Sequence, residues 1–372
     1  MARRDIDVRF NINKSELLNA LTIVSKGASS RSTLPVLAGV YIKAETNGLI
    51  MQTTDLERSI RYNVSALVEE QGAIVIPEKL LFDIVKQLPD AAVCFETKDG
   101  TVSVSCDQSS FVLRTLDPED FPEFPEVDIT NRITVPFDDF CMMVKRVAKV
   151  VSKNQSHAVL TGVLISTSPS GLKMVATDSY RLAVSEIELA GAKEGFEAIV
   201  PGAFLQEVAS LPKMEETIDI GLSQNQIVFI YQNMVLINRR IEGTFPNYKQ
   251  LIPASYATKT LFSTQELITA VKRVSLISSL ASPVKFDINE ASQNVVINTT
   301  SQDVGSAEEV VSCYVEGEST EIAINPQYVI EGLMSVPGSQ VYLETQSSLK
   351  PGIFKSVGDE KYLYLVMPVR IS

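Results

Sequence analysis

Two segments of the chain combine an apolar stripe with helical spacing and the same tetrapeptide, Val-Lys-Arg-Val. The tetrapeptide begins at Val144 and again at Val271. Because an α-helix turns by about 100° per residue, Val147 joins Val144 on one stripe, and Val274 joins Val271. The opposite faces carry cations and are either ordinary solvated surfaces or surfaces for an anionic partner. These cations are Lys145, Arg146, Lys149, Lys272 and Arg273.

Helical and strand patterns alternate along the whole chain. The helical pattern predicts helices over 14–26, 138–153 and 264–278. Three further segments begin at a proline or directly after one. They predict a second set of helices over 78–87, 202–210 and 326–335. Apolar-rich strands joined by turns lie between the helices and outnumber them. Sequential hairpins imply antiparallel sheets, so the sequence predicts an α+β protein.

The predicted elements recur in three copies. Residues 48–55 (GLIMQTTD) match 171–178 (GLKMVATD) and, more faintly, 294–300 (NVVINTT). The period is roughly 123 residues, which is the size of a domain rather than of a solenoid repeat. Pro-rich links separate the copies. We therefore predict three similar domains, at 1–128, 129–252 and 253–372.

The composition limits the classes of partner and cofactor. The formal charge is −12, from 33 Lys+Arg and 45 Asp+Glu. Such a balance argues against nucleic acid unless the cations are gathered on one surface. The four cysteines are scattered and His157 is the single histidine, so we expect no metal site and no cofactor. Without a signal peptide or a long apolar run, we expect a cytoplasmic protein with no membrane contact.

Motifs for catalysis are absent from the sequence. It contains no GxGxxG, P-loop or HExxH motif. Ser-x-x-Lys occurs at 210–213 and 347–350, but without the other motifs of serine acyl-transferases. Asp55 and Asp178 occupy equivalent repeat positions, which favours a turn role over a pair of catalytic acids. We therefore predict a binding protein rather than an enzyme.

Four motifs carry a resemblance to a known family. Residues 31–37 (RSTLPVL), 177–182 (TDSYRL), 245–248 (FPNY) and 367–371 (MPVRI) resemble motifs of the bacterial DNA polymerase III beta subunit, the beta sliding clamp family. The resemblance implies three clamp-type domains per chain, with two chains joined head to tail in a ring. Helices would line the ring and antiparallel sheets would form its outside. Such a ring encircles duplex DNA without sequence specificity and tethers the replicative polymerase as a non-catalytic processivity factor.

A ring explains how an acidic chain could hold DNA. Inward cations would make diffuse contacts to phosphates, which carry no sequence information, while the acidic outside would repel DNA. The resemblance assigns DNA contacts to Arg31 and Asn154, and the helical pattern adds the five cations named above. The first helix of domain 1 offers chiefly Lys26.

The resemblance also implies an apolar cleft between the second and third domains that binds short peptides. Its partners would be the DNA polymerase III catalytic subunit, the clamp loader, and other polymerases and repair factors. Apolar walls would take an anchor side chain and a polar rim would fix its register. At Ser179 and Tyr180 the chain departs from relatives that have Gly or His. The matching positions are Leu160, Thr177, Ser179, Tyr180, Arg181, Leu182, Pro246, Leu251, Tyr328, Met367, Pro368, Val369 and Arg370.

A third predicted surface is the joint between two chains. Phe111 and Leu113 match the family's apolar contact in domain 1, and Leu276 and Ile277 match it in domain 3. The two domain 3 residues also lie off the apolar stripe of their helix.

A competing hypothesis is a multi-domain protein-interaction scaffold that does not encircle DNA. Such a scaffold would be monomeric and would not be retained on circular DNA.

The predicted joint has few opposite charges. Residues 101–110 contain no Arg or Lys, whereas Glu308 and Glu309 are present in domain 3. We therefore predict that the joint depends on apolar burial and that its dissociation constant changes little with salt. Sedimentation of the dimer between low and high ionic strength measures this dependence. A steep weakening with salt would contradict the prediction.

Overall fold

The computed structural model describes residues 8–29, 32–126, 129, 131–189, 195–223, 225–277 and 282–370. The chain forms two compact units. The first comprises Met1–Phe137 with Ser210–Arg240, and the second comprises Asp138–Ala209 with Ile241–Ser372. Among the described residues, no helix is both long and apolar enough to cross a membrane.

The helices match the predicted positions, and all except the one predicted over 78–87 end before their predicted carboxyl-terminal residue. The helix predicted over 138–153 ends at Val147, where the chain turns and the Ser152 amide donates to the Leu160 carbonyl at 2.8 Å. The β-branched residues that follow this end are weak helix formers. The helix predicted over 264–278 would end at residue 278, which lies outside the described residues. The helices are α1 (Lys14–Val24), α2 (Glu78–Gln87), α3 (Phe137–Val147), α4 (Gly202–Ala209), α5 (Thr264–Val274) and α6 (Pro326–Leu333).

The strands pair in antiparallel ladders throughout the described chain. In chain order they are β1 (Arg9–Asn13), β2 (Gly39–Glu45), β3 (Gly48–Thr54), β4 (Arg58–Val64), β5 (Leu67–Glu70), β6 (Gly72–Pro77), β7 (Ala92–Lys98), β8 (Thr101–Cys106), β9 (Ser109–Arg114), β10 (Asn131–Pro136), β11 (Gly162–Ser168), β12 (Gly171–Thr177), β13 (Arg181–Glu188), β14 (Glu197–Pro201), β15 (Thr217–Leu222), β16 (Gln226–Tyr231), β17 (Met234–Arg239), β18 (Thr258–Ser263), β19 (Val284–Asn289), β20 (Asn294–Ser301), β21 (Gly305–Ser312), β22 (Tyr314–Gly317), β23 (Thr320–Ile324), β24 (Gln340–Thr345), β25 (Gly352–Ser356) and β26 (Asp359–Val366).

The first unit contains two sheets. One has five strands in the order β5-β1-β7-β8-β9, and the other has eight in the order β10-β15-β16-β17-β4-β3-β2-β6. Helix α1 packs against β3, β4 and α2. Phe10 and Phe95 stack with their ring centroids 4.6 Å apart, and both are fully buried. Burying an aromatic side chain of this size contributes about 1.5–3 kcal/mol.

The second unit also contains two sheets. One has nine strands in the order β14-β11-β12-β13-β26-β25-β24-β18-β22, and the other has four in the order β21-β20-β19-β23. Helix α5 packs against α6, β20 and β21. The largest fully buried side chains of this unit include Phe262, Phe286, Phe354, Tyr362 and Tyr364.

The two large sheets are each continuous across the predicted domain borders. Strand β17, from the second repeat, pairs with β4 of the first, and β26, from the third repeat, pairs with β13 of the second. The compact units therefore do not follow the three repeats. The domain limits at 128 and 252 remain predictions.

The repeated turn glycine has a steric origin. Gly171 has φ +143°, and a Cβ at this position would lie 1.9 Å from the Ile187 carbonyl oxygen. Gly48 has φ +137°, and its Cβ would lie 2.4 Å from the Val64 carbonyl oxygen. Residues with a side chain cannot adopt this backbone beside a neighbouring strand. The same glycine therefore opens β3 and β12.

Candidate functional site

A tight turn between β12 and β13 presents the first part of the predicted cleft. The Thr177 hydroxyl donates to the Arg181 carbonyl at 2.7 Å. Asp178 Oδ1 accepts from the Tyr180 and Arg181 amides at 3.0 Å each. Ser179 lies in the left-handed region with φ +77°. The turn therefore holds Ser179 and Tyr180 out of the sheet, and Tyr180 is 63% exposed.

Arg181 is buried beneath this turn, at 7% exposure. Its Nε donates to Asp178 Oδ2 at 3.0 Å, and its guanidinium forms an ion pair with Glu331 of α6. The guanidinium also lies 4.5 Å from the ring centroid of Tyr328 and 3.4 Å from the Tyr364 hydroxyl. Its donors are therefore already bound within the chain, and the assignment of Arg181 to the peptide cleft stays a prediction. Arg181 fixes the position of Tyr328.

The same network sets the protonation of its acids and phenols. Burial alone would raise the pKa of Glu331, but hydrogen bonds from Gln327 and Arg181 outweigh it, and the pKa lies below its usual value. Burial raises the pKa of Tyr328. Burial alone would lower the pKa of Arg181, but Tyr364, Glu331 and Asp178 raise it. Near neutral pH the ion pair is therefore fully charged.

The carboxyl-terminal segment forms the next part of the cleft. The Met367 amide donates to the Tyr180 carbonyl at 2.8 Å, and the Val369 amide donates to the Ala323 carbonyl at 2.8 Å. These bonds attach the segment to the turn at one end and to β23 at the other. Met367 and Pro368 are half-buried, whereas Val369 and Arg370 are exposed.

An apolar cluster forms the floor between these walls. Leu182 and Tyr248 are buried in it, and Phe245 and Met367 pack against it. Thr177 is buried as well, so neither Thr177 nor Leu182 reaches solvent. Around the cluster, Pro246 and Leu251 are exposed, and Leu160 and Tyr328 are half-buried.

The second unit thus brings Leu182 and Met367 of the predicted cleft together at one apolar floor. Val369 and Arg370 instead line a pocket with Lys285, Glu321 and Leu349. The floor can bind a short apolar segment of another chain. The sequence pattern missed Glu331 and Tyr364, which hold the walls in place. Glu331 follows Tyr328 by three residues on α6, a spacing that places both on one helix face and could have indicated the link.

The turn recurs in the first unit with different surroundings. Asp55 Oδ1 accepts from the Glu57 and Arg58 amides at 3.0 and 2.7 Å, as Asp178 does in the second repeat. The predicted turn role of both aspartates is confirmed. The exposed side chains differ, because Glu57 forms an ion pair with Arg239 at 3.2 Å. Charged groups therefore occupy the positions that Tyr180 and Met367 hold in the cleft.

Three cations are predicted on the helix over 138–153, and two of them, Lys145 and Lys149, are exposed. Lys149 lies in the turn after α3 rather than in the helix. Arg146 is only 5% exposed, bonds Asp359 Oδ2 at 2.8 Å and lies 5.1 Å from the Tyr362 ring centroid. The expectation that Arg146 contacts DNA is therefore wrong. The β25–β26 hairpin covers this side of the helix.

The remaining predicted DNA contacts have varied surroundings. Lys272 and Arg273 are exposed on α5, and Arg273 Nε donates to Glu309 at 2.9 Å. Lys26 is half-buried and donates to the Ser210 hydroxyl at 2.7 Å. Asn154 is exposed, and its side chain accepts from the Ser156 amide at 3.0 Å. Arg31 lies outside the described residues.

The residues predicted for the joint lie beside two sheet edges. Strand β9 is an edge of the five-stranded sheet and β21 an edge of the four-stranded sheet. Leu276 is 82% exposed, Phe111 is 38% exposed and Ile277 is half-buried. Leu113 faces the core and is buried, so the expectation that it offers a free apolar surface is wrong. Val112 on β9 and Val310 on β21 are exposed instead.

The sequence matches three family models, each describing one domain of the DNA polymerase III beta subunit. The N-terminal domain matches 8–125, the central domain 134–247 and the C-terminal domain 249–370. The chain is 30% identical over 367 residues to the beta sliding clamp of Synechococcus elongatus, covering 96% of this chain and 98% of that protein.

Solved structures show the same similarity. The DNA polymerase sliding clamp of Bacillus subtilis has a TM-score of 0.92 and 27% identity, covering 98% of this chain and 100% of that one. The DNA polymerase III subunit beta of Bartonella birtlesii, bound to griselimycin, has a TM-score of 0.93 and 25% identity, with the same coverage.

The Arg181–Glu331 pair predicts a pH-dependent stability. Glu331→Gln should lower the free energy of unfolding by about 1–3 kcal/mol near pH 7, because it removes a hydrogen-bonded charge. The folded pKa of Glu331 is depressed, so this stabilisation is present above its unfolded pKa of about 4.3 and is lost as pH falls through the folded pKa. Thermal unfolding of both proteins from pH 7 to pH 3 measures the difference.

The control is Glu188→Gln, which removes the exposed ion pair with Lys361 in the same unit. This change should leave stability nearly unchanged across the same pH range, because solvent screens an exposed ion pair. A Glu331→Gln effect that stays constant from pH 7 to pH 3 would contradict the assigned role.

Proposed function

Because this chain belongs to the beta sliding clamp family of DNA polymerase III, we propose that two copies close head to tail in a ring around duplex DNA. The family supplies the general activity: a non-catalytic processivity factor for the replicative polymerase, with DNA and polymerase as partners. The mode of ring closure, the DNA contacts and the docking residues are proposals. The observation that supports the proposed ring closure is the pairing of strands between successive repeats.

Each repeat completes the sheet of the repeat before it. Within the first unit, β17 pairs with β4 so that Leu236 lies opposite Ile60. Within the second unit, β26 pairs with β13 so that Tyr364 lies opposite Ala183. In both cases the last strand of the later repeat joins the fourth strand of the earlier one. The two junctions are equivalent positions of the repeat.

The third repeat offers the same edge, and the first repeat offers the matching strand. Among the described residues, β21 pairs on one side only, with β20, and β9 pairs on one side only, with β8. Unpaired strand edges recruit another strand. We infer that β9 of one subunit pairs with β21 of the partner subunit. Repeating this contact once closes a head-to-tail dimer.

The two existing junctions also give the register of the third. The β8–β9 and β16–β17 hairpins both have two-residue turns, which makes Ser109 equivalent to Met234 and Phe111 to Leu236. Thr300 pairs with Ser306 as Thr54 pairs with Ser59. Ala307 is then equivalent to Ile60. The expected pairs are Phe111 with Ala307 of the partner subunit and Ser110 with Glu308 of the partner subunit.

This joint would cover the exposed apolar side chains beside both edges. Phe111, Val112, Leu276 and Val310 are each exposed in the single chain. Two of them lie on β9, and the other two lie on β21 and directly after α5, so pairing of the two edges would remove apolar surface from water. Because Glu309 is bound to Arg273 of its own chain, it contributes little charge to the joint. This agrees with the predicted weak dependence on salt.

For DNA, the proposed contacts are the exposed cations. Lys145, Lys149 and Lys272 are not engaged in an ion pair with any residue that the structure describes. Mobile ammonium groups bind phosphates without reading bases, which suits a ring that must slide. Arg273 forms an ion pair with Glu309 of its own chain. Arg31 and Asn154 remain proposed DNA contacts because of the family resemblance.

For protein partners, the proposed site is the apolar cleft around Leu182, Tyr248 and Met367. We propose that the polymerase III catalytic subunit, the clamp loader, and other polymerases and repair factors dock there through short apolar segments. The supporting observations are the buried floor, the exposed Tyr180 and the fixed position of Tyr328. We propose that the protein acts in the cytoplasm, where bacterial DNA is replicated.

Topological retention on DNA tests the ring. After loading on nicked circular DNA by the clamp loader, the protein should co-elute with the DNA and should leave it when a restriction enzyme linearises the circle. A ring can slide off free ends, whereas a conventional binder keeps its contacts. Equal retention on circular and linear DNA, or no retention on either, would favour the interaction scaffold.

A disulfide tests the register of the joint. The double variant Ser110→Cys with Glu308→Cys should form intermolecular disulfides under mild oxidation, because directly opposite residues have Cβ atoms about 4.5–5.5 Å apart. The matched control, Ser110→Cys with Glu309→Cys, places the second thiol on the other face of β21 and should crosslink far less. Non-reducing electrophoresis separates the forms. Equal crosslinking of both variants would refute the register.

A further inference from the structure

A cavity of about 380 Å³ lies between helix α5 and strand β21 in the second unit. Arg273 of the helix and Glu309 of the strand line this cavity and form an ion pair with each other. Strand β21 is the edge that the proposed joint offers to a second copy of the chain. The cavity therefore lies where a strand of the partner subunit would be added, and its filling affects the strength of the joint.

The second unit contains an equivalent place that is already filled. The repeated tetrapeptide makes Arg146 of α3 the counterpart of Arg273. The register of the junctions makes Ser185 of β13 the counterpart of Glu309. Tyr362 of β26 pairs with Ser185, is fully buried, and has its ring centroid 5.1 Å from the Arg146 guanidinium. A large side chain of the adjoining strand thus occupies the space beside the helix.

The first unit fills its own equivalent place as well. Met234 of β17 pairs with Tyr62 of β4, and Met234 is fully buried. Tyr62 is the counterpart of Glu309 in the register of this junction. Both junctions within the chain therefore place a large buried side chain, Met234 or Tyr362, at the same position of the added strand.

Strand β9 carries only a serine at this position. Ser109 is the counterpart of Met234, and the proposed register places it opposite Glu309 of the partner subunit. A serine side chain is much smaller than that of methionine or tyrosine, so the cavity beside Arg273 stays under-filled when the two edges pair. Interiors and stable interfaces are close-packed, and atoms that line unfilled volume lose their contacts.

An ion pair that crosses the junction in the second unit also has a different counterpart. Asp359 at the start of β26 accepts a hydrogen bond from Arg146 of the preceding repeat at 2.8 Å. A register shift in the β25–β26 hairpin supplies the extra residues that bring Asp359 to the helix. The β8–β9 hairpin has a regular register, and Arg273 is bound to Glu309 of its own chain. In the proposed joint, an ion pair within one chain thus replaces the one across the junction.

We propose that Ser109 limits the strength of the joint, because it leaves the cavity beside Arg273 of the partner subunit under-filled in the dimer. This inference rests on the head-to-tail ring proposed above. A ring has to open before it can encircle closed circular DNA, and an under-filled joint between chains gives that opening a defined place. The two filled junctions keep each chain intact.

Substitution of Ser109 tests this role. Ser109→Met should restore the buried contact of Met234, and Ser109→Tyr should place a ring against Arg273 as Tyr362 does against Arg146. Burial of a side chain of this size should strengthen one joint about tenfold or more. A dimeric ring has two such joints, so its dissociation constant should fall about a hundredfold. Fluorescence-detected sedimentation of the full-length protein measures the constant.

Ser110→Met is the matched control. Ser110 follows Ser109 on β9, but successive side chains of a strand point to opposite faces, so a methionine at this position does not enter the cavity. A surface substitution of this kind should change the dissociation constant by less than about fivefold over two joints. Circular dichroism of each variant verifies that β9 and its sheet stay folded.

The possible outcomes separate the role of Ser109 from the ring itself. The expected result is a lower dissociation constant in at least one Ser109 variant without a matching change in Ser110→Met. An unchanged or higher constant in both Ser109 variants, or an equal gain in Ser110→Met, would overturn the role of Ser109 and leave the wild-type dimer standing. A wild-type protein that stays monomeric at every concentration would overturn the ring and this inference together.

Discussion

Antiparallel pairing between the last strand of one repeat and the fourth strand of the preceding repeat is the interaction on which the rest of the architecture depends. Backbone amides and carbonyls at a strand edge require partners, and each such junction satisfies a full row of them. The pairing of β17 with β4 and of β26 with β13 produces the two large sheets. It also leaves β9 and β21 as the edges through which a second copy can add. In the proposed ring, closure of the dimer would use for a third time a contact that the chain already makes twice.

The same turn occurs in the first and second repeats, but the side chains around it differ, so only the second turn borders an apolar surface. Asp55 and Asp178 form the same hydrogen bonds to the amides that follow them. In the second repeat, the exposed Tyr180 and the half-buried Met367 leave an apolar surface over a buried floor. In the first, Glu57 and Arg239 neutralise each other at the equivalent place. Repetition of the backbone therefore does not imply repetition of the binding site.

Ion pairs within the chain, as well as burial, decide which cationic side chains remain available to a partner. Arg146 and Arg181 form buried ion pairs, and Arg273 shares its charge with Glu309. Buried pairs of this kind have little net effect on stability compared with apolar packing, but removal of one partner is costly. Their value here is orientation, since Arg181 holds Tyr328 at the edge of the cleft. Lys145, Lys149 and Lys272 keep exposed ammonium groups, which in the proposed ring would make transient contacts to phosphate.

By itself, the sequence determined the periodic features: the six helices named here, the α+β class, the repeat near 123 residues and the turn glycines. These depend on neighbours within one turn or one hairpin, so local spacing is sufficient. Tertiary structure decided which side chains remain available. Asp359 lies 213 residues from Arg146, and Glu331 lies 150 residues from Arg181. No local pattern contains partners so distant, and helical geometry alone assigned Arg146 to an open face. The fold of the chain brings these partners together, and with them it selects which predicted positions can meet DNA or a peptide.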